Sequence, residues 1–167
     1  NKTALYVYDL ENNGNLIKKI EVKDGKGGLS SPTLVDKDLD GIVDIAYAGD
    51  RGGKMYRFDL KNWTVSTIFE GTKPITSAPA ISQLKDKRVV IFGTGSDLSE
   101  EDVDKMDEQY IYGIFDDDTA ATGTVNFTGT GGGLLEQHLT EENKTLFLTD
   151  YKRSDGSGSK GWVVKLK

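Results

Sequence analysis

Four aspartates share one short stretch, Asp36-Lys37-Asp38-Leu39-Asp40-Gly41-Ile42-Val43-Asp44, at its positions 1, 3, 5 and 9, with glycine at 6. Carboxylates at odd spacing let a chain curl around a hard cation, which is the pattern of a calcium loop. Asp36, Asp38, Asp40 and Asp44 would offer side-chain oxygens, and the Ile42 carbonyl a further one. Calcium takes about six to eight oxygens. Water or a second carboxylate oxygen would therefore complete the shell. Gly41 permits a sharp turn that a bulkier residue resists. Without a cation the like charges repel. The competing reading is an acidic surface turn that holds no ion.

The stretch is not a complete EF-hand, because position 12 is Tyr47 and not a bidentate glutamate. The run from Ile42 to Ala48 is β-branched and partly alternating. It predicts a strand and not an exiting helix. A strand–loop–strand cation site of the kind carried by β-propellers is expected.

The elements around the loop repeat weakly. Leu5-Tyr6-Val7-Tyr8-Asp9-Leu10 returns as Met55-Tyr56-Arg57-Phe58-Asp59-Leu60, and again as Tyr110 to Asp116. Gly161 to Leu166 reads as a further copy. Leu29-Ser30-Ser31-Pro32-Thr33-Leu34-Val35 matches Ile75-Thr76-Ser77-Ala78-Pro79-Ala80-Ile81. Ile45 to Asp50 resembles Val90 to Gly95 and, more loosely, Leu146 to Asp150. The unit is about 45–50 residues of short strands, which is a propeller blade. At that period the 167 residues hold about three to four blades. An open set of blades exposes edge strands, so the chain reads as part of a larger propeller whose remaining blades complete it.

Two segments interrupt the strands. Residues 97–108 are acidic, and Ser99 before Glu100, Glu101 and Asp102 reads as a helix cap or an inter-strand loop. Residues 116–133 begin with Asp116-Asp117-Asp118, read as a solvated acidic turn in preference to a second cation site, and continue as a Gly/Thr-rich loop over 119–133. Residues 152–160 read as a polar hairpin tip between two apolar strands.

Composition excludes several classes. The net charge is −6 and no Lys/Arg cluster with interleaved aromatics is present, so nucleic acid is not an expected partner. No apolar run approaches membrane-spanning length. The absence of cysteine fits an exported bacterial protein as well as a cytosolic one. A chain that opens on Asn1 reads as a mature product or an excised piece.

The stretch from Gly28 to Leu60 resembles the C-terminal domain of the PilC/PilY family, type IV pilus-associated adhesins and biogenesis factors of Gram-negative bacteria. Lys73 to Pro79, Phe92 to Gly95, Gln109 to Gly113 and Lys160 to Trp162 agree with it, and Leu148 to Gly158 is most similar to the Neisseria/Kingella-type PilC branch. The resemblance implies an all-β fold, a modified seven-bladed quinoprotein-like propeller, with residues 1–167 as part of that single C-terminal domain. It implies calcium held by Asp36, Asp38, Asp40, Asp44 and the Ile42 carbonyl. It also implies that occupancy counters pilus retraction, with adhesion to host cells. The implied partners are minor pilins or other pilus components, a host-cell receptor and the remaining blades. The implied location is exported: the bacterial surface, pilus or outer membrane.

Two other functions compete. A pyrroloquinoline-quinone dehydrogenase shares the propeller architecture, but four aspartates in one loop would saturate the ion, and no vicinal cysteine pair exists. An integrin-like propeller would bind a protein ligand with calcium as a brace. Gly49-Asp50-Arg51-Gly52 is not an Arg-Gly-Asp motif. His138 is the single histidine and lacks a Gly-x-Ser-x-Gly companion, so no triad is expected. Trp63 and Trp162 read as blade packing. Gly131 to Gly133 does not open a helix as a phosphate loop does, and Asp150 to Asp155 is too widely spaced for an ion.

Overall fold

Alternating apolar residues make every regular element among the described residues a strand. The structure, a computed structural model, describes residues 2–85, 87–96, 108–118, 125–126, 133–150 and 158–166. The expected insertion at 97–108 lies outside these residues except for Glu108, and the Gly/Thr-rich loop falls outside them except at 125–126 and Gly133.

β1 (Thr3–Asp9) and β2 (Asn15–Val22) form an antiparallel hairpin. β3 (Thr33–Val35), β4 (Ile45–Gly49), β5 (Lys54–Asp59) and β6 (Thr64–Glu70) then run antiparallel, each beside the next. This is a first blade. A second begins with β7 (Ala80–Gln83), β8 (Arg88–Gly93) and β9 (Gln109–Asp116). β10 (Val125–Asn126) crosses back to lie parallel to β6 of the first blade. β11 (Leu134–Gln137) comes next, then a hairpin of β12 (Leu139–Glu142) and β13 (Thr145–Leu148). β14 (Gly161–Leu166) closes the second blade, antiparallel to β9 and parallel to β11.

Three expectations about repeats change here. Gly161 to Leu166 is not a further copy of the aromatic strand. As β14 it occupies the place next to β9 in the second blade that β6 holds next to β5 in the first, with β11 beyond it as β10 lies beyond β6. Leu146 to Leu148 is not an inner strand: among the described residues β13 pairs only with β12, in a two-stranded sheet. Of the expected hairpin tip at 152–160, residues 152–157 lie outside the described residues; the strands on either side, β13 and β14, belong to different sheets. In each case a short apolar run fits several strand positions, and its pairing decides which.

The first blade is buried on both faces. Ile45, Tyr47 and Met55 join Phe69, Phe92, Tyr112 and Ile114 in a cluster drawn from both blades. Alternate residues Ala46, Ala48, Tyr56 and Phe58 pack with Ile20 of the β1–β2 hairpin in a second cluster. Phe69 sits at the junction, its ring 4.6 Å from Tyr112 and 5.1 Å from Phe92, in edge and tilted arrangements that aromatic pairs favour. Trp63 packs against the second cluster. Trp162 lies across from Gly113, its cross-strand partner. A Cβ on Gly113 would stand 2.1 Å from the indole. Glycine is therefore required where the tryptophan crosses the strand. Both tryptophans do serve blade packing.

Candidate metal centre

The aspartate loop joins β3 to β4, and the strand pair closes its base. Val35 opposes Ile45, and the Asp44 N–H donates to the Val35 carbonyl at 2.9 Å. Inside that closure the chain curls through two left-handed residues, Leu39 (φ 59°) and Gly41 (φ 88°). The conformation costs glycine nothing and leucine some strain. Leu39 and Ile42 are both exposed, so no apolar burial holds the curl.

Hydrogen bonds to the aspartates hold it instead. Asp36 Oδ2 accepts from the Gly41 N–H and Asp40 Oδ1 from the Ile42 N–H, both at 2.8 Å. Asp44 Oδ2 accepts from the Lys37 N–H at 2.8 Å. Carboxylate oxygens of Asp36, Asp38 and Asp40 all come within 4.8 Å of one another. That is a spacing one cation can span. The Asp36 Oδ1 atom is buried and has no hydrogen-bond partner. A buried anionic oxygen without a donor is costly unless a cation meets it. Hard oxygen donors, a tight group and an orphaned oxygen are a set that could hold a hard metal cation.

Of the residues expected as ligands, the structure groups Asp36, Asp38 and Asp40. Ile42 comes next on the same turn. Asp44 is buried at the base of the loop and is already engaged. Its Oδ1 lies 3.0 Å from the Lys61 ammonium, which is also 3.5 Å from Asp38 Oδ2. The Lys61 hydrogen bond is the main reason the Asp44 carboxyl is held below its ordinary range; burial opposes it and the Lys37 N–H adds to it. Lys61 is pushed up in turn, first by its bond to Asp44 and then by the charge of Asp38.

Sequence reasoning missed Lys61. It sits in the turn after β5, and Asp59 fixes that turn by accepting from the Lys61 and Asn62 N–H groups at 2.8 and 3.0 Å. The Leu60 N–H donates to the Asp44 carbonyl at 2.9 Å, so the turn is tied to the base of the loop. The signal that could have found it is the Asp59-x-x-Asn62 turn beside a strand that must pair with β4. A cavity of about 320 Å³ opens next to the loop, with Asp38, Asp44, Lys61, Arg57 and Asp118 in its lining.

The run Asp116-Asp117-Asp118 is not a solvated acidic turn. Asp117 is exposed, but Asp116 is fully buried, where it pairs with Arg57 and accepts from the Tyr47 hydroxyl. Tyr47 and Arg57 are cross-strand partners of the first blade, and Asp116 ends β9 of the second. Asp118 pairs with Arg88 and, at 3.0 Å, with Lys37 of the aspartate loop. Burial first, and then the Asp116 charge, keep the Tyr47 hydroxyl protonated far above the ordinary tyrosine range. Asp50 is a second buried acid that the sequence did not single out. It accepts from the Gly52 and Lys54 N–H groups at 3.0 Å and from the Tyr56 hydroxyl at 2.6 Å, so it braces the β4–β5 turn. His138 is exposed, and its ring lies 3.8 Å from the Glu136 carboxylate.

Residues 1–152 match the PilY1 beta-propeller domain family. The chain belongs to that family. It is 32% identical over 190 residues to the type IV pilus biogenesis factor PilY1 of Pseudomonas aeruginosa (strain UCBPP-PA14), covering 87% of this chain and 16% of that protein. It is 34% identical over 153 residues to a type IV pilus biogenesis factor PilY1 homolog of Xylella fastidiosa (strain Temecula1), covering 86% of this chain and 12% of that one. The crystal structure of the Pseudomonas aeruginosa PilY1 C-terminal domain superposes with a TM-score of 0.76 at 29% identity, over 99% of this chain and 44% of that one. The chain thus spans 12–16% of the length of these PilY1 relatives and is an all-β part of a PilY1-type propeller.

Proposed function

We propose that this domain is the calcium-binding part of a type IV pilus biogenesis factor and performs no chemistry of its own. The observation that carries the reading is the orphaned, buried Asp36 Oδ1 beside the grouped carboxylates of Asp36, Asp38 and Asp40. Those residues would hold the ion, with the Ile42 carbonyl and, once released from Lys61, Asp44 completing the set. The bound ion would pin a surface loop between two strands of one blade. Its occupancy would then support pilus extension by opposing retraction. Adhesion to host cells would accompany it.

Type IV pilus components, a host-cell receptor and the remaining blades of the propeller are the partners this reading names. An exported place at the bacterial surface, pilus or outer membrane goes with it. The relatives' description as pilus biogenesis factors supports a binding role over an enzymatic one.

Calcium titration by calorimetry, after chelator treatment, tests the site. One ion per chain is expected, with affinity lowered by more than about tenfold in Asp40→Ala, because one charged ligand is lost. Wild-type affinity in Asp40→Ala, or no binding heat from folded protein, would overturn the assignment.

A further inference from the structure

A cationic side chain already stands against the aspartate loop. Lys61 places its ammonium 3.0 Å from Asp44 Oδ1 and 3.5 Å from Asp38 Oδ2, which are two of the carboxylates that the calcium reading needs. We propose that Lys61 is a tethered competitor that calcium must displace from Asp38 and Asp44, so that the site responds to the level of calcium instead of holding it permanently. The inference rests on the calcium reading of the loop.

Geometry supports it from three sides. The Asx turn at Asp59 and the bond from Leu60 N–H to the Asp44 carbonyl hold the backbone of residue 61 beside the loop. The ammonium is therefore always at hand, at a high effective concentration. The side chain is 61% exposed and has an open cavity beside it, so it can leave without disturbing packing. Asp44, by contrast, is almost fully buried and cannot turn away to find the ion elsewhere. Calcium and the ammonium cannot both sit on the same oxygens, since like charges repel at that distance. A divalent ion with several oxygen ligands outcompetes one ammonium, whereas a monovalent ion gains little. Lys61 thus filters the site against monovalent ions and sets a calcium threshold.

The test is calorimetric titration of calcium into wild type, Lys61→Met and Lys19→Met, the last a charge-matched control on β2. Lys61→Met should tighten binding by about tenfold at low ionic strength, with less gain at high salt. Lys19→Met should stay near wild type. In wild type, NMR relaxation of the Lys61 Cε should show an ordered side chain without calcium and a mobile one with it. Equal affinity in wild type and Lys61→Met, or a Lys61 side chain equally ordered in both states, would overturn the proposal. If wild type binds calcium and Lys61→Met matches it, only the competitor fails. If neither binds, the calcium reading fails and takes the competitor with it. Binding by Lys61→Met alone would support both.

Discussion

Replacing Asp116 with alanine should weaken the junction between the blades severely. Asp116 is 1% exposed and pairs with Arg57, itself 8% exposed, while the Tyr47 hydroxyl donates to the same carboxylate. Removing one member of a buried pair leaves its partner's charge unpaired and costs about 3–5 kcal/mol. The stranded Tyr47 hydroxyl costs about 1–3 kcal/mol more where nothing replaces its acceptor. Both penalties arise at one carboxylate and are not additive, so about 4 kcal/mol is the expected total. Equilibrium unfolding in urea reads this directly. With a slope of about 2 kcal/mol per molar urea, the midpoint should fall by about 2 M. The double variant Arg57→Met with Asp116→Leu should recover much of the loss, because an apolar pair of similar volume avoids the cost of burying charge. A midpoint for Asp116→Ala within about 0.3 M of wild type would refute the reasoning. So would a double variant no more stable than the single one, since the unpaired guanidinium would then not be the source of the loss.

Gly113→Ala should destabilise by about 1–3 kcal/mol through overpacking, because its Cβ would stand 2.1 Å from the Trp162 indole; unchanged urea stability would show that the strand yields freely. The Asp44 carboxyl is held below the ordinary aspartate value of 3.8, chiefly by the Lys61 hydrogen bond. Its stabilising contribution is therefore complete above that value and is lost as pH falls through the lower folded value. Carboxyl carbon NMR without calcium should show a midpoint below 3.8 that moves up in Lys61→Met; a midpoint indifferent to that substitution would remove Lys61 as the cause.

The curl of the aspartate loop was legible because its information is local. Spacing of Asp36, Asp38 and Asp40 around Gly41 is enough to curl nine residues, and the structure brings those carboxylates together. The strands were legible for the same reason, since alternation in Met55 to Leu60 or Tyr110 to Asp116 announces a sheet with a buried face. The readings that failed depend on pairing between distant segments. Asp116 and Asp118 look like a hydrated acidic run until β9 is placed beside Arg88 of β8 and against the first blade, where Tyr47, Arg57 and Lys37 await them. Gly161 to Leu166 looks like any aromatic strand. Its place between β9 and β11 is set only by the long excursion between β9 and β14, which interrupts the blade's period. Lys61 stands 17 residues after Asp44 in sequence and 3.0 Å from it in space.

Lys37 ties the aspartate loop to the second blade. Its backbone N–H donates to Asp44 at the base of the loop, and its ammonium pairs with Asp118 just beyond the end of β9. Asp118 is in turn held by Arg88 of β8, so a single residue of the loop is anchored across the blade boundary. A cation that reorders the loop must either keep Lys37 where it stands or break its pair with Asp118. The pair is exposed on the lysine side, where solvent screening weakens it, so it offers little resistance to binding. The Arg88–Asp118 pair beneath it is buried on the arginine side and would survive. Reordering should therefore stay within the loop and the face around it, while the packing of Phe69, Phe92 and Tyr112 holds the blades in place. A local change on a rigid frame is what a surface read by another protein requires, and it needs no movement of one blade against the next.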